Sequence, residues 1–264
     1  MGYKVRYRDD IFSSSGFYAG SHERRTSELL EALADPKIHA VFCARGGYGC
    51  NYVSQALAAA PLPSPKIVMG YSDVTTLQML LWKRAGWVTF HGPMVTVDLC
   101  KGSTGYDAAS LRQSITSTGA WEVTHAPQVL RRGDAEGVLL GGCLSILVTA
   151  LGTPREMDFH DAVLFLEDLE ERPYRIDRML FHLREAGKLA GVRGIIFGEM
   201  KGCQASAGKT PLEEVILSAL EGVNVPVLFG VRSGHTNGGN ICLPLGVRAA
   251  ISGDTLVLLE GAVC

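Results

Sequence analysis

The sequence predicts an α/β protein in two parts: a parallel-sheet domain of the Rossmann or flavodoxin-like kind over residues 1–115, and a mixed α/β domain over residues 116–264. Three observations carry this expectation. Short apolar runs of strand length alternate with segments of helical periodicity, and strand, helix, strand in short periods makes right-handed βαβ units on a parallel sheet with helices on both faces. Between about residues 101 and 126 the pattern loosens into interspersed Gly, Ser and Thr, which places the boundary. Beyond it the apolar runs lie closer together, as in a second or mixed sheet.

Taken in order, residues 3–8 alternate and predict a strand, and residues 13–16 a polar loop. A helix is predicted over 21–34, with Ser21 as its cap and Leu29, Leu30 and Leu33 near its end; Asp35-Pro36 stops it. Residues 38–44 read as a buried strand running into Arg45-Gly46-Gly47-Tyr48-Gly49. A helix over about 51–60 and a Pro-rich turn lead to a strand ending at Ile67-Val68-Met69. Val74, Leu77, Leu80 and Leu81 then recur at helical spacing, the helix stops near Gly86, and residues 87–90 form a strand leading into His91. In the second part strands are predicted at 129–130, 135–140, 162–166, 194–197, 225–229 and 255–259, and helices at 144–151, 175–186 and 212–220.

The 264 residues, 47% hydrophobic and 20% charged, suffice for one large or two small domains with a sizeable core. A net charge of -2 argues against a nucleic-acid or polyanion partner. No apolar run approaches the roughly 18 residues of a membrane span, and the opening MGYKVRYRDD has no apolar signal core, so a cytoplasmic protein with no membrane partner is expected. The cysteines (Cys43, Cys50, Cys100, Cys143, Cys203, Cys242, Cys264) are an odd set without CxxC spacing, read as reduced thiols and not as a zinc site.

The candidate chemistry gathers around the corner Gly70-Tyr71-Ser72-Asp73. A serine projecting from a strand-to-helix turn has the first free N–H groups of the helix beside its oxygen, which suits a nucleophile. Ser and Asp are equally the residues that cap helix N-termini, and the corner alone leaves both roles open. A nucleophilic serine requires a base and an orienting acid, and in parallel sheets these belong at neighbouring strand ends. His91 and His235 are the histidines that closely follow apolar strands and adjoin glycine; His235, in Ser233-Gly234-His235-Thr236-Asn237-Gly238-Gly239, is the candidate base, a surface-turn histidine being the alternative. Glu167 continues the strand at 162–166 without a break and is placed to hold an imidazole tautomer, although with Asp168, Glu170 and Glu171 it also fits a solvated acidic turn. No His or Cys spacing supports a metal.

Gly46 and Gly47 permit close backbone approach and an N–H toward an oxyanion, beside the N–H of Asp73, and Arg45 suits a substrate carboxylate. His91 joins these as a candidate for the oxyanion- or substrate-binding set. Residues 202–210 imitate a phosphate-binding loop but hold five residues between Gly202 and Gly208 where four are required, and Pro211 removes a further donor.

Seven segments form a set whose order and spacing cover nearly the whole chain: Ala44-Arg45-Gly46-Gly47-Tyr48-Gly49, Gly70-Tyr71-Ser72-Asp73-Val74-Thr75, Phe90-His91-Gly92-Pro93-Met94, Leu140-Gly141-Gly142, Phe165-Leu166-Glu167-Asp168, the run from Arg172 to Leu180, and Gly234-His235 with Leu243-Pro244-Leu245-Gly246. The set resembles the LD-carboxypeptidase family of serine peptidases, whose sister branch contains the microcin-immunity peptidases. The resemblance implies a triad of Ser72 as nucleophile, His235 as general base and Glu167 as its orienter; the sequence itself leaves Glu170 and Glu171 as fallback acids. It also implies two domains with the site in the cleft between them, a homodimer, no cofactor, and a muropeptide or other small peptide as substrate, with terminal D-Ala released from a tetrapeptide in cell-wall recycling.

Two alternatives stay open: an immunity-type hydrolase of peptidyl or aminoacyl nucleotide analogues, and a catalytically silent muropeptide-binding protein. The first requires an aromatic platform, for which the loop after Glu167 offers only Tyr174. The chain departs from the family in two places. The family's additional strand before the segment matching Gly2-Tyr3-Lys4-Val5 is absent, which predicts an exposed sheet edge. Cys143 stands where the family usually carries Asn, so a thiol replaces that amide's hydrogen bonds.

Overall fold

A computed structural model describes residues 2–123, 125, 127–206 and 208–263. The first part folds as α1 (His22–Ala34), β1 (Ala40–Phe42), α2 (Cys50–Ala59), β2 (Ile67–Gly70), α3 (Thr75–Ala85) and β3 (Thr89–His91). The caps are those the residues dictate: Ser21 Oγ accepts the Arg24 N–H at 3.2 Å to start α1, and Gly86, at φ 64°, ends α3 in the left-handed conformation. β1 runs parallel to β2 and β2 parallel to β3.

After α4 (Ala108–Thr116) and β4 (Trp121–Glu122) come β5 (Gln128–Arg131), β6 (Ala135–Cys143), α5 (Leu144–Thr149), β7 (Ala162–Glu167) and α6 (Pro173–Glu185). They are followed by β8 (Gly194–Gly198), α7 (Leu212–Ala219), β9 (Val227–Val231), β10 (Leu243–Leu245), β11 (Arg248–Ser252) and β12 (Thr255–Leu258). Among the described residues the strands form two sheets, of order β1-β2-β3-β10 and β4-β12-β11-β6-β7-β8-β9-β5. In the larger sheet β6 to β9 are parallel, while β5, β11 and β12 pair antiparallel with their neighbours, so it is mixed as predicted.

Four features differ from the sequence reading. Residues 3–8 are not a strand: no sheet edge receives them, Tyr3, Val5 and Tyr7 stay exposed, and Arg6 and Arg8 reach instead for Asp35 and Asp10. α4 occupies the segment read as loosened, with Asp107 capping it through the Ser110 N–H at 2.6 Å; Leu111 and Ile115 are its only large buried residues, too few for a periodic signal. β11 also went unpredicted, its short Ala-rich run alternating between buried and exposed positions. β10 crosses the expected boundary, since residues 243–245 pair antiparallel with β3 and complete the first sheet.

β7 decides where the second part meets the first. All six of its residues are buried, and successive side chains face opposite sides of the sheet. Ala162, Leu164 and Leu166 pack with Ile176 and Leu180 of α6, whereas Val163 and Phe165 pack with Leu243 and Leu245 of β10. Period two therefore carries Glu167 to the β10 side, toward the first sheet. Cys43, Cys50, Cys100, Cys143, Cys203 and Cys242 are free thiols; Cys264 and Ala207, the latter within the loop at 202–210, lie outside the described residues. Among the described residues no helix is long and apolar enough to cross a membrane.

Candidate active site

The corner after β2 is sharp. Tyr71 is extended, Ser72 adopts φ 65°, and a single 3-10 turn over Ser72–Val74 leads into α3. A serine in the left-handed region costs roughly 1–2 kcal/mol and persists only where the surroundings impose it. Gln78 supplies part of that constraint, its Nε2 donating at 2.9 Å to the carbonyls of both Gly70 and Phe90. Neither the turn, with Tyr71 at its cap position, nor α3, with Val74, carries a side-chain cap, so the capping role open in the sequence is not the one the fold uses. The Asp73 carboxylate does cap a helix, but a different one: Oδ2 accepts the Cys50 N–H of α2 at 2.8 Å. The Gly46 backbone lies against the serine so closely that a Cβ there would sit 2.8 Å from Ser72 Cβ and 3.1 Å from Oγ. Gly47 adopts φ 109°, and both Gly47 and Arg45 are exposed in the same loop.

Glu167 is fully buried at the end of β7, not part of a solvated turn. Its Oε2 accepts two hydrogen bonds from one residue, the His235 backbone N–H at 3.0 Å and the His235 Nδ1–H at 2.7 Å. Burial alone would push the carboxyl up; the hydrogen bonds and charges of His235 and His91 outweigh it and hold the group down at about 2. For His235 burial works against the charged ring, and the Glu167 hydrogen bond and charge overcome it, so the imidazole titrates above its ordinary 6.5. With Nδ1–H committed to the carboxylate, the Nε2 lone pair is the free base.

The His235 loop is held from several sides: Gly234 N–H donates to Asn240 Oδ1 at 3.1 Å, Asn237 N–H to Glu199 Oε2 at 2.8 Å, and Lys201 Nζ to the Thr236 carbonyl at 3.1 Å.

Two contacts join the serine corner to this pair. The Tyr71 ring meets the His235 ring edge-on, centroids 5.0 Å apart, and Tyr71 OH lies 3.5 Å from Asp98 Oδ1. Thr75 Oγ1, on the first turn of α3, accepts the Cys143 N–H at 3.1 Å, and Cys143 is in register with Glu167 across β6 and β7. The Cys143 side chain is buried, its thiol pushed well up by burial and by Glu167, and its sulfur lies 3.4 Å from Ser145 Oγ.

The structure thus joins Glu167 to His235, sets Gly46 against Ser72, and brings the corner to the pair through the Tyr71 ring. Arg45 and Gly47 stand exposed in the loop that carries Gly46, and the remaining candidates lie apart. His91 is fully buried, with Nε2 3.5 Å from Glu167 Oε1, so it stands behind the carboxylate and not among groups a substrate can touch, because β3 turns it into the core. Glu171 pairs with Arg175 and Asp168 accepts the Ser145 N–H, so neither serves His235. Tyr71, Asp98, Ser233 and Asn240 escaped sequence reasoning; Tyr71 and Ser233 adjoin motif residues, and that adjacency was the available signal. Among the described residues no group of three or more His, Cys, Asp and Glu side chains is placed to hold a metal ion.

Known proteins resemble the chain along nearly its whole length. The LD-carboxypeptidase N-terminal domain profile matches residues 1–92, and the LD-carboxypeptidase C-terminal domain profile residues 136–251. A protein of Bacillus subtilis named probable murein peptide carboxypeptidase is 34% identical over 278 aligned positions, covering 100% of this chain and 84% of the relative. The crystal structure of a muramoyltetrapeptide carboxypeptidase from Oxalobacter formigenes superposes with a TM-score of 0.81 at 28% identity, covering 98% of this chain and 90% of that one. The microcin C7 self-immunity protein MccF shares the fold, with a TM-score of 0.80 at 23% identity over 96% of this chain and 86% of its own. With both domain profiles matched in order and a full-length relative above 30% identity, the chain belongs to the LD-carboxypeptidase family.

Proposed function

We propose that the protein is a metal-independent serine carboxypeptidase that hydrolyses an L,D peptide bond, releasing terminal D-Ala from muropeptide tetrapeptides during cytoplasmic cell-wall recycling. The observation that carries this reading is a serine held at φ 65° on a strand-to-helix corner whose preceding residue, Tyr71, packs edge-on against a histidine with its Nδ1–H fixed on a fully buried carboxylate. In this mechanism His235 Nε2 takes the Ser72 proton as Oγ attacks the carbonyl of the L-centre, then returns it to the leaving D-amino group. Ionised Glu167 stabilises the imidazolium through Oε2. The N–H groups of Asp73 and Gly47 receive the oxyanion, and exposed Arg45 pairs with the terminal carboxylate. Water then releases the acyl-enzyme, with His235 again the base.

Mass spectrometry of a disaccharide tetrapeptide incubated with wild type and Ser72→Ala, chelator present in both, tests the reading. Loss of one D-Ala with wild type alone is the expected result. Equal loss with both proteins refutes the serine mechanism, and no loss with either moves the assignment to an immunity-type hydrolase or a muropeptide-binding protein.

A further inference from the structure

His91 is buried at the heart of the site, and the triad leaves it without a task. Its Nε2 lies 3.5 Å from Glu167 Oε1, and both atoms are buried without any other hydrogen-bond partner. Its Nδ1 lies 3.2 Å from Ser233 Oγ, and that oxygen is also 3.3 Å from the His91 carbonyl. The ring is fixed by an edge-on contact with Phe165, centroids 5.1 Å apart, and by Gly234, where a Cβ would fall 2.7 Å from His91 Cε1.

The tautomer follows from the neighbours. An unprotonated Nε2 would aim its lone pair at a buried, ionised carboxylate oxygen, an arrangement repulsive in a medium of low dielectric. A proton on Nε2 removes the repulsion and gives Oε1 a donor. Ser233 permits this, because its hydroxyl can turn its hydrogen onto Nδ1. At 3.5 Å the contact is long, as hydrogen bonds within unliganded active sites often are before substrate tightens them.

Resting on the Ser72–His235–Glu167 reading, we infer that His91 is a positioning residue for the same reaction: its Nε2–H holds Glu167 Oε1, fixing the carboxylate so that Oε2 meets His235 and sharing the negative charge between two imidazoles. Glu167 is then the centre of a His–Glu–His relay, with Ser233 behind the far ring. The other titratable groups that bear on Glu167 and His235 are Asp168, Asp98, Tyr71 and Cys143; burial keeps the phenol and the thiol neutral.

His91→Phe keeps the aromatic packing against Phe165 and removes both nitrogens. The full charge of Glu167 then falls on His235, which keeps its proton to higher pH. The folded variant is expected to lose about tenfold or more in kcat with little change in KM, and the acidic limb of its pH–rate profile to move up by about 0.5 pH or more. His91→Gln, which can set an amide N–H where Nε2 stood, is expected to return the limb to its wild-type position. A folded His91→Phe with an unmoved acidic limb overturns the inference.

Nitrogen NMR of histidine-labelled wild type decides the matter even if His91→Phe fails to fold: a protonated His91 Nε2 supports it, and an unprotonated one overturns it. The NMR result is independent of turnover. Activity retained by Ser72→Ala therefore sinks the triad reading without being confused with failure of the His91–Glu167 contact.

Discussion

Gly234 is where a single methyl group tests the geometry most severely. A Cβ built on it lies 2.6 Å from Glu167 Cδ, 2.7 Å from Glu167 Oε2 and 2.7 Å from His91 Cε1. Ordinary contact begins near 3.4 Å, so Gly234→Ala requires a displacement of about 0.8 Å. Glu167 cannot retreat, because the β8 backbone at Gly198 lies so close that a Cβ there would sit 2.6 Å from Glu167 Cβ; His91 is backed by Phe165. The loop carrying His235 must therefore move outward, stretching its 2.7 Å bond to Oε2 to about 3.5 Å and weakening it sharply. The residue also sits at φ 88°, where alanine adds roughly 1–2 kcal/mol to an overpacking cost of about 1–3 kcal/mol.

The expected phenotype is a folded protein, destabilised by about 2–5 kcal/mol, whose kcat/KM falls on the order of 10²-fold. Initial-rate measurement of D-Ala release, paired with thermal unfolding, reads both quantities. Wild-type kcat/KM in folded Gly234→Ala would show that the Glu167–His235 contact does not set the rate.

Two further substitutions probe the surroundings. The Glu167 carboxyl sits at about 2 in the folded protein against an ordinary 4.5, so its contribution, on the order of 3 kcal/mol, is complete above pH 4.5 and is lost as pH falls toward 2. Denaturant titrations between pH 2 and 7 are expected to show this loss in wild type and its absence in Glu167→Gln; superimposable pH profiles refute it. Gln78→Leu removes the donor shared by the Gly70 and Phe90 carbonyls and is expected to destabilise the protein by about 1–3 kcal/mol, read as a lower denaturant midpoint. An unchanged midpoint would mean that these carbonyls find other partners.

The parallel strands and the helices between them were legible because burial on both faces writes long apolar runs into the chain, as Ala162 to Leu166 illustrates. The placement of Ser72, Glu167 and His235 at or just past strand ends was legible because each stands where such a run stops. What the sequence concealed were pairings between distant segments. Nothing local marks Leu243-Pro244-Leu245 as the partner of β3, and a three-residue strand has no period to read. Asp73 illustrates the same limit: its cap donor, Cys50, lies on another helix, so spacing pointed to the wrong helix end. His91 follows an apolar strand just as His235 follows one, and only the direction of the side chain separates a residue behind the carboxylate from one in front of it.

The antiparallel strand β10 has a consequence for how the protein is made. A chain emerging from the ribosome presents the Ser72 corner early, but the sheet beneath it lacks its last strand until residues 243–245 arrive, after Glu167 and after His235. Ser72, Glu167 and His235 therefore stand with a completed first sheet only once β10 has paired with β3, and a chain interrupted anywhere before β10 holds the Ser72 corner on an unfinished sheet.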